Sequence, residues 1–151
     1  MNLSALKSPP FRSYVVSLHL ALNGFWAQRV IIGWLAWEVT GSAGFVGLVA
    51  FLNFFPTLFI SPLFGVFADR IDVRRGSILS YTLAGILSAL FAGLCIFGSP
   101  TPILLALFSF VTGVISSANH PMRMSLTPRL APAGDLPSVV ALTSLNFNMS
   151  R

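Results

Sequence analysis

The sequence predicts an all-α membrane protein, with four transmembrane helices and the start of a fifth. Three observations predict it. The chain is 55% hydrophobic and only 9% charged, where a soluble domain carries about 25% charged residues. Its apolar residues form four runs, each near the ~20 residues that cross about 30 Å of hydrocarbon. Its cations gather in the gaps on one side of those runs. A 151-residue soluble chain could not hide so much apolar surface in one core, whereas lipid is itself an apolar solvent. A barrel would need closed, alternating strands of about ten residues, and no such alternation is present.

The elements follow in order. Residues 1–12, read as a cytoplasmic N-terminus, carry Lys7 and Arg12 and precede the first span, 13–37. That span is too long for the ~7–15 residue core of a signal peptide, and no small-x-small cleavage site follows it. Thr40-Gly41-Ser42-Ala43-Gly44 ends it as a turn. The second span covers 45–67 and contains Pro56, which removes a backbone donor. A charged loop from Asp69 to Gly76 leads to the third span, 77–97, which Gly98-Ser99-Pro100-Thr101-Pro102 breaks. The fourth span covers 103–118 and is expected to end at His120-Pro121. A polar, proline-containing loop is expected over 119–137. Residues 138–151 return to a helical pattern through Val139, Val140, Leu142, Leu145 and Phe147, and read as a fifth helix cut short.

Small residues four apart form ridges on two spans: Gly85, Ala89 and Gly93 on the third, Ser109, Gly113 and Ser117 on the fourth. Such ridges let helix backbones approach closely in lipid.

The net charge of +5 would suggest nucleic acid in a soluble protein. Here it reads as orientation. Lys7 and Arg12 precede the first span, Arg70, Arg74 and Arg75 separate the second and third, and Arg123 and Arg129 follow the fourth, while the two opposite turns carry no charge. Positive residues stay in the cytoplasm, so the N-terminus is expected there and the chain in the inner (plasma) membrane. The lone Cys95 has no partner for a disulfide or a metal site. No phosphate-binding glycine loop, metal-ligand spacing or nucleophile with a base is visible, so neither an enzyme nor a cofactor is expected.

The most specific stretch is Gly65-Val66-Phe67-Ala68-Asp69-Arg70-Ile71-Asp72-Val73-Arg74-Arg75. It resembles the loop signature G-x-x-x-D-R-x-G-R-[KR]-[KR] between the second and third helices of the major facilitator superfamily. The match falls on Gly65, Asp69, Arg70, Arg74 and Arg75; Asp72 stands where the signature has glycine, and Val73 where it often has a base. Gln28-Arg29-Val30 through Trp37-Glu38-Val39-Thr40-Gly41-Ser42, Pro121-x-Arg123 through Leu136-Pro137, and Leu145 to Arg151 resemble its siderophore and drug exporter branch. The resemblance implies a twelve-helix fold of which this chain is the N-terminal part, with the remaining helices as its partners beside lipid and a small-molecule substrate. It implies export of small amphipathic molecules by alternating access, driven by protons.

Within the spans, His19, Asn23, Trp26, Gly33 and Trp37 share one face of the first helix, with Arg29 at its edge. A mid-span arginine costs on the order of 2.5–3.5 kcal/mol on insertion scales, so it faces a cavity or a partner. The resemblance makes helices one and four line the central cavity. The candidate substrate path is therefore His19, Asn23, Trp26 and Arg29 with Thr112 and Ser116 of the fourth span. The competing reading of the polar residues is interhelical hydrogen bonding. No carboxylate lies at mid-membrane, so a proton must be carried elsewhere in a longer chain or by His19. The alternatives to a transporter part are a four-span non-transporting scaffold or a small oligomeric transporter.

Overall fold

The computed structural model describes residues 7–68, 72–98, 100–130 and 135–150, with the side chains of 64–68 and 120 excepted. Five helices follow one another: α1 (Pro9–Thr40), α2 (Ala43–Ala68), α3 (Val73–Phe97), α4 (Pro102–Arg129) and α5 (Leu136–Met149). No strand occurs among the described residues. Four stretches are long and apolar enough to cross a bilayer: Pro9–Thr40, Ala43–Leu63, Val73–Phe97 and Pro102–Arg129. The protein is a multi-pass, all-α membrane protein.

The helix ends follow local chemistry. α1 starts at Pro9, earlier than Ser13, because proline suits a first turn whose N–H groups are unpaired anyway. It ends at Thr40, whose Oγ1 donates to the Ala36 carbonyl at 2.6 Å. Gly41 follows with φ +60, the left-handed conformation that stops a helix and favours glycine. Ser42 then caps α2, its Oγ accepting from Phe45 N at 3.3 Å. α3 starts at Val73 rather than Ser77, because the Asp72 carboxylate accepts from Arg74 N at 3.0 Å and Arg75 N at 3.4 Å. That is an N-cap, and it satisfies donors the helix cannot pair itself.

The fourth helix corrects an expectation. α4 does not stop at His120-Pro121 but runs to Arg129, so 119–129 is helix and not loop. Pro121 forfeits one bond, to the Ser117 carbonyl, yet its fixed φ is compatible with a helix. Pro128, in the last turn, forfeits a second bond, to the Met124 carbonyl, and two lost bonds do not outweigh the turns around them. Proline within membrane helices is tolerated on these terms. α5 starts at Leu136 with proline in its first turn and ends at Met149, inside the expected 138–151 region except at its start.

The chain divides into two compact units, each with its own core. Residues Val30–Arg123 form the second, holding most of α1's second half, α2, α3 and most of α4. Its core is Ile32, Ala36, Val49, Phe91, Leu105 and Phe108. Phe91 of α3 stacks on Phe108 of α4, centroids 3.9 Å apart and planes 16° apart. Residues Met1–Arg29 and Met124–Arg151 form the other, around buried Phe11 and Val139 with Tyr14, Val15, Leu130 and Leu142 against them.

Candidate functional site

The first unit concentrates its polar chemistry between α1 and α5. His19, Asn23 and Trp26 are spaced to share one stripe of α1, as helical periodicity requires. His19 Nδ1 lies 2.6 Å from Asn146 Oδ1. Asn146, itself buried, donates Nδ2 to the Val15 carbonyl at 3.1 Å. Asn23 Nδ2 donates to the His19 carbonyl at 2.8 Å, faces His19 Nε2 at 3.2 Å, and reaches Ser150 Oγ at 3.2 Å. Ser150 closes the cluster, donating Oγ to the Asn146 carbonyl at 2.9 Å while lying 3.3 Å from His19 Nδ1.

One turn further, aromatic contacts take over. Trp26 meets Phe147 of α5 edge to face, centroids 6.2 Å apart. Arg29 lays its guanidinium over Trp26 at 5.3 Å and over Phe25 at 5.9 Å. A ring face attracts a cation, by about 2 kcal/mol or more where water is excluded. At the other end of the unit, Tyr14 OH and Thr127 Oγ1 of α4 lie 2.9 Å apart.

In the second unit, Thr112 is buried and Ser116 half-buried on α4. Thr112 Oγ1 donates to the Phe108 or Ser109 carbonyl, both at 2.9 Å, and receives a bond from Asn53 Nδ2 of α2 at 3.0 Å. Asn53 also donates to the Ser109 carbonyl at 3.2 Å. Beside this link, a Cβ at Gly113 would collide with the backbone carbonyl of Asn53, so only glycine permits this α2–α4 approach. The ridge on α3 is different: a Cβ at Gly85 or Gly93 would meet open space. It borders an open, apolar groove of about 730 Å³ lined by Ile86, Ala89, Leu90, Gly93, Leu94 and Phe97, none of them a predicted path residue. Nearer the start of α3, Ser80 Oγ donates to Asn119 Oδ1 of α4 at 2.6 Å.

His19 and Asn23 thus join one hydrogen-bonded cluster, Trp26 and Arg29 share a stack above it, and Thr112 belongs to the α2–α4 link. Of the loop motif, Gly65 lies on α2 and Asp69 and Arg70 lie outside the described residues. Arg74 and Arg75 are exposed at the start of α3, where Arg75 Nε lies 3.4 Å from Asp72 Oδ2. Solvated at both ends, that pair contributes little stability. Sequence reasoning missed Asn53, Asn146 and Ser150. Asn53 carried a signal, being a carboxamide inside an apolar span that needs a partner. Nothing in a single sequence marks Asn146 as the partner of His19. No metal-binding group of His, Cys, Asp and Glu occurs among the described residues.

The model of a family described as transmembrane secretion effectors matches residues 1–151. The chain belongs to this family of the major facilitator superfamily. A relative, the Staphyloferrin A transporter of Staphylococcus aureus (strain NCTC 8325 / PS 47), is 24% identical over 138 residues. The match covers 89% of this chain and 34% of the relative, so the chain spans about a third of that protein's length. No solved structure matches the chain significantly. As a transporter-family member, it shares the four-span arrangement with the N-terminal part of the superfamily fold.

Proposed function

We propose that this chain supplies the first helices of a secondary active exporter of small amphipathic molecules, of the drug or siderophore kind. The exporter works by alternating access and draws on a proton gradient. The family match over the whole chain carries this reading, and a relative named as a siderophore transporter supports the substrate class. The charge asymmetry of the termini and loops supports an N-terminus in the cytoplasm and residence in the plasma membrane. The remaining helices of a twelve-helix fold are its partners. His19, Asn23, Trp26, Arg29, Thr112 and Ser116 contribute to the substrate path, and Gly65, Asp69, Arg70, Arg74 and Arg75 form the loop whose contacts change between the two states.

In this reading the arginine stack has a clear use. A guanidinium held over two rings has its cation met by their faces within the apolar span. The experiment is accumulation of an amphipathic dye and of an iron-chelating siderophore in cells expressing the whole transporter to which these helices belong, with and without a protonophore. Expression lowers accumulation, and the protonophore restores it. Unchanged accumulation with the protein present in the membrane would sink the reading.

A further inference from the structure

The bonds around His19 fix where its proton sits. Asn146 donates Nδ2 to the Val15 carbonyl at 3.1 Å, which leaves Oδ1 facing His19 Nδ1 at 2.6 Å. A carboxamide oxygen only accepts, so Nδ1 carries the proton. Ser150 Oγ, 3.3 Å from the same nitrogen, spends its own proton on the Asn146 carbonyl and likewise offers Nδ1 a lone pair. On the other side of the ring the chemistry reverses. Asn23 is oriented by the bond from its Nδ2 to the His19 carbonyl at 2.8 Å, and the same NH2 faces Nε2 at 3.2 Å. An NH2 only donates, so Nε2 presents its lone pair. Of the two neutral tautomers, these partners select Nδ1–H.

We propose that His19 is a proton-binding site, with Nε2 as the atom that takes the proton and the Asn23 amide as the group that responds. A proton at Nε2 meets the Asn23 NH2, donor against donor. The amide must turn to present Oδ1. Turning brings Oδ1 against the His19 carbonyl and takes away the one amide hydrogen that Nε2 and Ser150 Oγ, the C-cap of α5, share. Meanwhile the bond from Nδ1–H to Asn146 becomes charge-assisted and tightens. Proton binding forms one N–H bond, breaks no covalent bond and adds one positive charge. It weakens one α1–α5 link and strengthens another already made, loosening the end of α5 while holding its middle.

The surrounding charges do not set this protonation through an ion pair. α5 itself carries no titratable side chain. Among the described residues of this unit, the other titratable or charged side chains are Lys7, Arg12, Tyr14, Arg29, Arg129 and Asp135. None is a partner of His19, whose ring bonds go to Asn23, Asn146 and Ser150. Arg12 and Arg29 lie along α1 at about 10 and 15 Å by helical rise, and both oppose a further positive charge. The site rests on the transport reading only for its use, as one place where a driving proton could bind.

The test is nitrogen NMR of the purified chain, labelled at histidine and reconstituted in phosphatidylcholine nanodiscs. Only His19 and His120 then report, and His19→Gln assigns them. At high pH, His19 shows the Nδ1–H tautomer; on acidification both nitrogens become protonated. Asn23→Asp places an acceptor in place of a donor against Nε2 and shifts the high-pH ring toward the Nε2–H tautomer. Asn146→Leu removes the nearer acceptor at Nδ1 and weakens the tautomer preference, which Ser150 Oγ and the Asn23 NH2 then hold alone. An Nε2–H tautomer in the wild-type chain at high pH, or the wild-type tautomer unchanged in Asn23→Asp, would overturn the proposal. If circular dichroism shows that a variant has lost its helices, the wild-type tautomer alone decides. A transporter that exports nothing leaves this result unchanged, and a wrong tautomer leaves the export assay unchanged.

Discussion

Gly113 and Asp72 are the two positions where a single atom decides the local structure. Adding a methyl group at Gly113 drives it into the Asn53 carbonyl, which is backbone and cannot swing aside. Gly113→Ala is therefore expected to destabilise the second unit by about 1–3 kcal/mol, read as a lower unfolding midpoint in detergent. Gly85→Ala and Gly93→Ala meet open space and should leave that midpoint unchanged, or raise it slightly through helix propensity. Equal losses at all three glycines would contradict the assignment of close packing to the α4 ridge. Asp72→Ala removes the acceptor for two backbone donors and is expected to cost on the order of 1 kcal/mol. Asp72→Asn should retain most of it. Both glycine ridges were visible in the sequence as equal candidates. Only the facing helix distinguishes them, and spacing along one chain does not name that helix. Asp72 stood out merely as a departure from a signature glycine; its capping role depends on where α3 begins, and helix boundaries are the least legible feature of a sequence.

The helices themselves were legible because a bilayer imposes length and apolarity together. What apolar runs do not reveal is how far a helix continues once it has left the hydrocarbon. α4 shows this: its polar final turns, from Asn119 to Arg129, read as loop because Pro121 and Pro128 interrupt them. Pro121→Ala restores a donor to the Ser117 carbonyl without changing the fold, so helical content by circular dichroism should be equal to or above wild type. Loss of helix in that variant would show that the proline is needed to build the segment. The α2–α4 link is also an element-scale feature. Asn53→Leu removes both bonds from its Nδ2 while Thr112 keeps its own bonds to Phe108 and Ser109. Interhelical bonds in membranes average about 0.6 kcal/mol, so the expected loss is small and should fall below that of Gly113→Ala. Packing exceeds hydrogen bonding at this contact.

At the scale of the whole molecule, topology follows from charge. In the proposed orientation, an impermeant maleimide applied to intact cells labels Ser42→Cys but not Lys7→Cys in a Cys95→Ser background, and permeabilisation exposes the second. The reverse pattern would invert the orientation. The candidate path was legible only on α1, where His19, Asn23, Trp26 and Arg29 fall at helical spacing. Asn146 and Ser150 complete that cluster from the opposite end of the chain. Their pairing with α1 is a fact of tertiary structure, and no periodicity within α5 encodes it.

The turn between α1 and α2 has a consequence for how such a protein enters a membrane. Only Gly41 and Ser42 separate the two helices, and neither bears a charge. Whichever leaflet receives this corner, delivering it requires moving two small residues through the bilayer, with Glu38 the sole acidic or basic side chain nearby. The two helices can therefore partition as one preformed hairpin, their connection too short to let either settle before the other. Insertion of the first segment thus commits the second, and a stall between them would leave a corner with almost no chain to spare.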